Sequence, residues 1–218
     1  MNGHKIIPSQ YIKYLGVLVD NHLNGNIHCN ILSKKLRRAN GMLCKARHFV
    51  PHEELKSIYS AIFSSHLTYG CQVWGQKKNI HTQKVFDIQN RAMRIISFAD
   101  FHADANPIYK ELKILKLEDF ISLQNALFVH DFLNKKLPTC FDDYFKKAAD
   151  IHSIGTKSAK LGCLFVPLVS TIKYGIQSIS RQSILSWNTL CKDLNSNLAD
   201  LSRSVAKNKI TTHFLQSY

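Results

Sequence analysis

The apolar residues between positions 27 and 50 recur with the period of an α-helix. They are separated by four, three, four, three and four positions: Leu32, Leu36, Ala39, Leu43, Ala46 and Val50. Residues with this spacing share one side of a helix, whereas a half-buried strand would bury every second residue. The same spacing recurs in segments 51–70, 82–96, 117–136 and 184–194. The sequence therefore predicts a mainly α-helical fold, with Thr82 as the N-cap of the helix that begins there.

Two stretches of the chain do not follow the helical period. Residues 11–20, "YIKYLGVLVD", are rich in β-branched and aromatic side chains and lead into a polar turn, which predicts a short strand or hairpin. Residues 150–175 combine Gly, Ser and Thr with a short apolar run, which predicts a loop and one hairpin. We therefore expect a strand and turn at 1–26, a helical bundle at 27–150 and a small mixed α/β region ending in helices at 151–218.

The chain carries a large and uneven excess of positive charge. It has 29 Lys and Arg against 15 Asp and Glu, a formal net charge of +14. Residues 1–100 hold 14 basic and 5 acidic side chains, and residues 151–218 hold 8 and 2, whereas residues 101–150 are nearly neutral. This distribution favours contact with a polyanion, of which nucleic acid is the leading candidate. Solubility alone is the alternative explanation.

The positive charge is concentrated on the first helix, opposite its apolar stripe. At roughly 100° per residue, four side chains fall within about 100° of one another: Lys34, Arg37, Arg38 and Lys45. A helix that buries Leu36 and Leu43 would present these cations to the phosphates of a nucleic acid, whose counterions they would release. The alternative is an ordinary solvated helix face.

Membrane and secretory signals are not evident in the sequence. The residues Met1–Lys5 lead into only a short apolar stretch, and no apolar run approaches the roughly 18 residues that a membrane span needs. The 6 cysteines contain no CxxC pair, which is expected of reduced thiols inside a cell. We therefore expect an intracellular protein of the cytoplasm, the nucleus or both, with no membrane contact.

Several short motifs occur in a fixed order along residues 14–96. They are Tyr14-Leu15-Gly16-Val17, Asp20, Gly41-Met42-Leu43, Leu55, Ile58-Tyr59, Leu67, Tyr69-Gly70, Trp74-Gly75, Gln89, Ala92, Arg94 and Ile95. In order and spacing they resemble the region that follows the palm in reverse transcriptases of non-LTR retrotransposons, of the jockey-like, LINE group. Residues 110–218 resemble the tail of these elements more loosely. One departure is Leu23-Asn24-Gly25, where the family has a Leu-x-Trp sequence.

The resemblance implies a role for two groups of residues. The family's thumb lies at the basic helix, so Lys34, Arg37, Arg38 and Lys45 would hold a template–primer duplex of RNA and DNA. Tyr14 and Gly16 would belong to the strand that supports the primer end, with Gly16 permitting close backbone approach or marking a bulge. Tyr69 and Trp74 could stack on bases, although packing in the core is the expected role of such aromatics.

The segment Phe98-Ala99-Asp100-Phe101 imitates the acidic box of a polymerase. Nucleotidyl transfer uses two Mg²⁺ ions held by hard oxygen ligands, and Phe101 stands where the second carboxylate is required. In the family this box precedes the Leu-Gly strand. Asp100 is therefore expected in a turn, and the adjacent Asp142 and Asp143 are expected in a helical context. The sequence predicts no catalytic centre and no cofactor in this chain, although the intact family enzyme uses Mg²⁺.

Other chemical and functional alternatives remain open. Cys44, His48 and His52 have helical metal-ligand spacing, but Pro51 should interrupt the helix and no fourth ligand is near, so no metal site is expected. A module that binds protein, either coopted or left as a remnant, is the alternative to nucleic-acid binding. Duplex binding and self-association would distinguish the two.

Overall fold

A computed structural model of the protein describes residues 9–76, 79–151, 160–171 and 175–218. Within them the chain is mainly helical with one antiparallel hairpin at its start, which confirms the predicted fold class. The helices are α1 Asn26–Ala46, α2 His52–Tyr59, α3 Ser65–Thr68, α4 Cys71–Trp74, α5 Ile80–Ile96, α6 Asn106–Leu112, α7 Leu117–Leu133, α8 Ala148–Ile151, α9 Ile179–Asp193 and α10 Arg203–Gln216. A π-helical segment, Ser60–Ser64, joins α2 to α3, and the segments Thr139–Phe141 and Leu198–Asp200 are short 3-10 turns.

The sequence 11–20 forms a hairpin rather than one continuous strand. Strand β1, Tyr11–Tyr14, pairs with β2, Val17–Asp20, so that Tyr11 faces Asp20 and Tyr14 faces Val17. The two-residue loop has positive φ at both positions, 44° at Leu15 and 84° at Gly16. This geometry matches the right-handed twist of the strands, and glycine adopts it without steric cost.

The first core lies between α1, α5 and the helices that join them. The predicted stripe on α1 is buried from Leu32 to Leu43, while Ala46 and Val50 are half-buried because the helix ends at Ala46. The buried side chain of Asn40 donates a 3.0 Å hydrogen bond to the carbonyl oxygen of Ile88 on α5. This bond fixes how the two helices are aligned.

A second core is built around α7, α9 and α10. Ile121 of α7 belongs to the first core, whereas Leu123 belongs to the second, where it joins Trp187 and Ile210. Helix α7 therefore contributes to both cores. In the C-terminal third, β structure among the described residues is a single bridge between Lys147 and Leu164. Much of the hairpin predicted at 150–175 lies outside the described residues, as do residues 1–5.

The start of α5 differs from the predicted one. Asn79 is the N-cap, and its side-chain oxygen accepts the backbone N–H groups of His81 and Thr82 at 2.8 and 3.0 Å. Thr82 occupies the third helical position, where its hydroxyl oxygen accepts the N–H of Asn79. Thr82 is therefore part of a capping box and not the cap itself, because the two polar residues satisfy each other's backbone groups.

Candidate nucleic-acid interface

The four cations predicted on the first helix lie together on the exposed side of α1. Lys34, Arg37, Arg38 and Lys45 are all exposed, while Leu36 and Leu43 on the opposite side are fully buried. Among the described residues none of the four forms an ion pair with a carboxylate. They span about 16 Å along the axis at 1.5 Å per residue, and we call this surface the α1 basic face.

A groove between α1 and α5 adjoins the basic face. It has a volume of about 370 Å³ and is lined on α1 by Arg37, Asn40, Gly41 and Cys44, and on α5 by Lys84, Asp87, Ile88 and Arg91. Lys84 and Arg91 are exposed. Sequence reasoning missed both, although Lys84, Asp87, Ile88 and Arg91 follow a helical i, i+3, i+4, i+7 pattern that would have grouped them.

Tyr14 and Gly16 lie on the hairpin, away from the C-terminal half of the basic face. The hairpin meets the first turn of α1 through His28, and Lys45 is about 25 Å further along the axis. Tyr14 is 65% exposed. Gly16 is neither a strand residue nor a bulge, because it occupies the second position of the hairpin turn.

The hairpin turn rests on Tyr69. The Tyr69 hydroxyl donates a 2.5 Å hydrogen bond to the carbonyl oxygen of Leu15, and a Cβ placed on Gly16 would lie 3.3 Å from the Tyr69 ring. Tyr69 is itself 55% exposed, whereas Trp74 is 1% exposed and donates its indole N–H to the Tyr69 carbonyl oxygen at 3.0 Å. Trp74 is thus a core aromatic, and Tyr69 supports the hairpin.

Asp20 organises the turn that joins β2 to α1. Asp20 is 4% exposed, and its carboxylate accepts the backbone N–H groups of His22, Asn24 and Gly25 at 3.1, 3.0 and 2.8 Å. A Cβ on Gly25 would lie 3.0 Å from the carbonyl oxygen of Trp74. The turn is therefore ordered without the tryptophan of the Leu-x-Trp pattern.

His28 connects the hairpin to α1. Its Nδ1 accepts the backbone N–H of Leu18 at 3.2 Å, and its ring lies against Trp74 with 5.5 Å between centroids. Burial lowers the pKa of His28, and the positive charge of Lys35 lowers it further. A neutral His28 is required for the Leu18 bond, because a protonated imidazole has no acceptor.

The segment that imitates a polymerase box is a connection between α5 and α6. The Asp100 carboxylate is exposed and accepts the N–H of His102 at 2.9 Å, which confirms its expected place in a turn. The guanidinium of Arg47 lies over the ring of Phe98, with its Cζ atom 4.9 Å from the ring centroid.

Neither of the two other sites considered from the sequence is assembled. Asp142 and Asp143 follow a 3-10 turn rather than lying in a helix. Cys44, His48 and His52 do not converge, and across the described ranges no three His, Cys, Asp or Glu side chains group as metal ligands would. The residues that the structure describes therefore do not form the group of converging carboxylates that a two-magnesium centre needs. No described helix is both long and apolar enough to cross a membrane.

Comparison with known proteins identifies relatives over part of the chain. The chain is 28% identical over 126 residues to the probable RNA-directed DNA polymerase from transposon X-element of Drosophila melanogaster. The aligned segment covers 56% of the chain and 14% of that protein. The chain is 30% identical over 130 residues to the RNA-directed DNA polymerase from mobile element jockey of the same species, covering 57% of the chain and 14% of that protein. The corresponding jockey protein of Drosophila funebris is 30% identical over 125 residues.

The chain thus matches about one seventh of the length of these relatives. No protein-family model and no solved structure matches it.

Proposed function

The chain is homologous, over a little more than half of its length, to the RNA-directed DNA polymerases of jockey-like non-LTR retrotransposons, and we propose that it is a C-terminal, thumb-like part of such an enzyme. In this proposal the α1 basic face binds the sugar–phosphate backbone of a template–primer duplex of RNA and DNA. Binding is independent of sequence and sensitive to salt.

One observation carries the proposal: four exposed cations that form no ion pair among the described residues share one side of a helix whose other side is core. The packed side fixes the orientation of the exposed one. Cations that form no ion pair within the described part of the chain are available to neutralise phosphates and to release the counterions condensed on them. Such contacts position a duplex without reading its bases, which is what a surface that moves along a template needs.

A salt titration of binding tests this assignment. Fluorescence anisotropy of a labelled RNA–DNA hybrid, measured at several salt concentrations, gives the slope of log K against log salt. The variant K34A/R37A/R38A/K45A should bind more weakly, and its slope should be shallower by up to roughly 0.9 for each phosphate that the protein no longer neutralises.

A charge-matched control separates this face from net charge alone. Lys136, Lys146, Lys147 and Lys192 are exposed and lie outside α1, so replacing all four with Ala removes the same charge elsewhere. The control variant should bind with nearly the wild-type slope. An unchanged slope in the α1 variant would refute the basic-face assignment.

We also propose that the chain does not join nucleotides by itself. The two carboxylates of the 97–106 segment accept backbone hydrogen bonds within turns. Asp100 accepts the N–H of His102 at 2.9 Å, and Asp104 accepts the N–H of Asn106 at 3.1 Å. Primer extension with purified protein, Mg²⁺ and deoxynucleotides should yield no product. A product that survives removal of contaminating polymerases would contradict this proposal.

Location in the cytoplasm, the nucleus or both follows from the proposed partner. Burial raises the pKa of the Cys29 and Cys71 thiols to about 12, so both stay protonated and unreactive at neutral pH. Imaging of the tagged protein checks the location.

A protein-binding module remains the second candidate, because the hairpin is unusually exposed. All four residues of β1 are exposed, and Leu15 at the turn is 74% exposed. Exposed apolar side chains on an edge strand are typical of a surface that pairs with another chain. Self-association in light scattering without any duplex binding would favour this function.

A further inference from the structure

Gly41 lies in the middle of α1 on its solvent side. A Cβ built on it meets no atom within 4 Å, so neither crowding nor a special backbone angle requires glycine at this position. Glycine destabilises a helix interior relative to alanine because it loses more backbone entropy on folding. The packing of the free protein therefore gives no reason for a glycine here.

The neighbours of Gly41 on the helix surface are cations. Residues three and four positions away on a helix are adjacent, which places Arg37, Arg38 and Lys45 around Gly41, with Cys44 on the groove side. Gly41 is therefore a gap in the α1 basic face where the helix backbone is open to an approaching molecule.

The groove beside Gly41 continues the positive surface onto α5. Lys84 and Arg91 line its far side, opposite Arg37. The acidic side chain in the groove, Asp87, already accepts the amide of Gln83 at 3.0 Å. The Asn40 bond to Ile88 holds the two helices in alignment, so the cations of the two helices flank the groove at a fixed separation.

We propose that one strand of a nucleic acid lies along this groove, with its sugar–phosphate backbone against Gly41 and its phosphates on Arg37, Lys84 and Arg91. The inference rests on the proposed function and adds two α5 residues and a contact point to it. Any side chain at position 41 would hold the strand away from α1 and weaken all the surrounding phosphate contacts together.

Substitution of Gly41 should change stability and binding in opposite directions. Gly41→Ala should raise Tm, since alanine favours the helix and has open space, and yet lower duplex affinity. Gly41→Gln should lower affinity further, by roughly tenfold, which is the scale of one or two phosphate contacts. Met42→Gln places the same side chain one residue on, about 100° around the helix, and should bind within about twofold of wild type.

The α5 cations and Cys44 give two independent readouts. Lys84→Ala/Arg91→Ala should weaken binding by roughly tenfold at low salt and make the salt slope shallower. Bound duplex should also slow alkylation of Cys44, which lines the groove, and leave unchanged that of Cys140, which is exposed elsewhere.

The outcomes separate this inference from the proposed function. If K34A/R37A/R38A/K45A loses affinity while Gly41→Gln and the Lys84/Arg91 variant bind as wild type, the groove is wrong and the basic face stands. Equal alkylation of Cys44 with and without duplex would also overturn the groove. If the four-cation variant binds as wild type, both proposals fail.

Discussion

The Tyr69 hydroxyl donates a hydrogen bond to the carbonyl oxygen of Leu15, 54 residues earlier in the chain. This contact joins the Leu-Gly turn of the hairpin to the Tyr-Gly segment between α3 and α4. Gly70 and Val17 meet at the same place, and the Trp74 indole N–H donates a hydrogen bond to the carbonyl oxygen of Tyr69. The motifs that most distinguish this chain are thus assembled into a structural junction that holds the hairpin on the helical bundle.

Replacing Gly70 should destabilise the junction. Gly70 has φ +59°, and an added Cβ would lie 2.8 Å from Cγ2 of Val17. The left-handed backbone costs a non-glycine residue about 1–2 kcal/mol, and the clash with a core side chain adds to it. Gly70→Ala should lower the free energy of unfolding by about 2–3 kcal/mol in urea titrations, whereas Gly41→Ala should raise it. A neutral Gly70→Ala would mean that the hairpin is not held by this contact.

Loss of the Asp20 carboxylate should unfold the turn before α1. Asp20→Asn keeps an acceptor for His22 and Asn24 but leaves the N–H of Gly25 facing an amide, at a cost of about 1–3 kcal/mol. Asp20→Ala removes all three bonds and should cost more. Asp100→Asn is the matched control, because that exposed carboxylate accepts one N–H and should change stability by less than about 0.5 kcal/mol. Equal effects at the two positions in chemical denaturation would contradict the role of Asp20.

The period of α1 was enough to predict both its buried stripe and its basic face, because helix geometry is local. The hairpin tip was not predictable in the same way. The sequence alone does not distinguish a glycine in a strand, at a bulge or in a turn at position 16. The contact with Tyr69, which shows that Gly16 lies in the turn, exists only in the folded protein. Lys84 and Arg91 were missed because they join Arg37 only through the packing of α1 on α5, whose Asn40–Ile88 bond spans 48 residues. The helical spacing on α5 groups Lys84 with Arg91, but their place opposite Arg37 depends on the whole fold and leaves no signal in either segment.

Acidification should weaken the link between the hairpin and α1. The pKa of His28 is lowered by burial and by Lys35, so the folded protein keeps His28 neutral while the unfolded chain takes up a proton near its ordinary pKa of 6.5. Stability from this residue is therefore complete above about pH 6.5 and falls as the pH is lowered towards the folded pKa.

His28→Asn isolates this contribution, since asparagine offers an acceptor to Leu18 without titrating. Unfolding free energies of wild type and variant between about pH 7.5 and 5 should converge as the pH falls. NMR titration should also show His28 taking up its proton at lower pH than an ordinary histidine. A constant difference between the two proteins across this range would contradict the coupling.

Tyr218 should hold α10 against α6 and α7, and its contribution should fail in alkali. The Tyr218 hydroxyl donates a hydrogen bond to the Asp119 carboxylate at 2.5 Å and accepts the backbone N–H of Lys116 at 3.0 Å. The Lys116 ammonium also lies 4.0 Å from the centroid of the Tyr218 ring. Burial, followed by the bond to Asp119, raises the pKa of Tyr218. The folded protein therefore keeps the phenolic proton that the unfolded chain loses above about pH 10. The stability that Tyr218 contributes is complete below that pH and declines as the pH rises above it.

Removal of the Tyr218 hydroxyl tests this coupling. Tyr218→Phe should cost about 1–2 kcal/mol at neutral pH, and its decline in stability between about pH 9 and 11 should be shallower than in wild type. Tyr144→Phe, at a ring that is 41% exposed, should leave the wild-type profile unchanged, and urea titrations across this range compare the three proteins. A group that keeps its proton only in the folded state must make the free energy of unfolding depend on pH. Parallel plots of this free energy against pH for Tyr218→Phe and wild type would therefore show that the hydroxyl does not couple to folding.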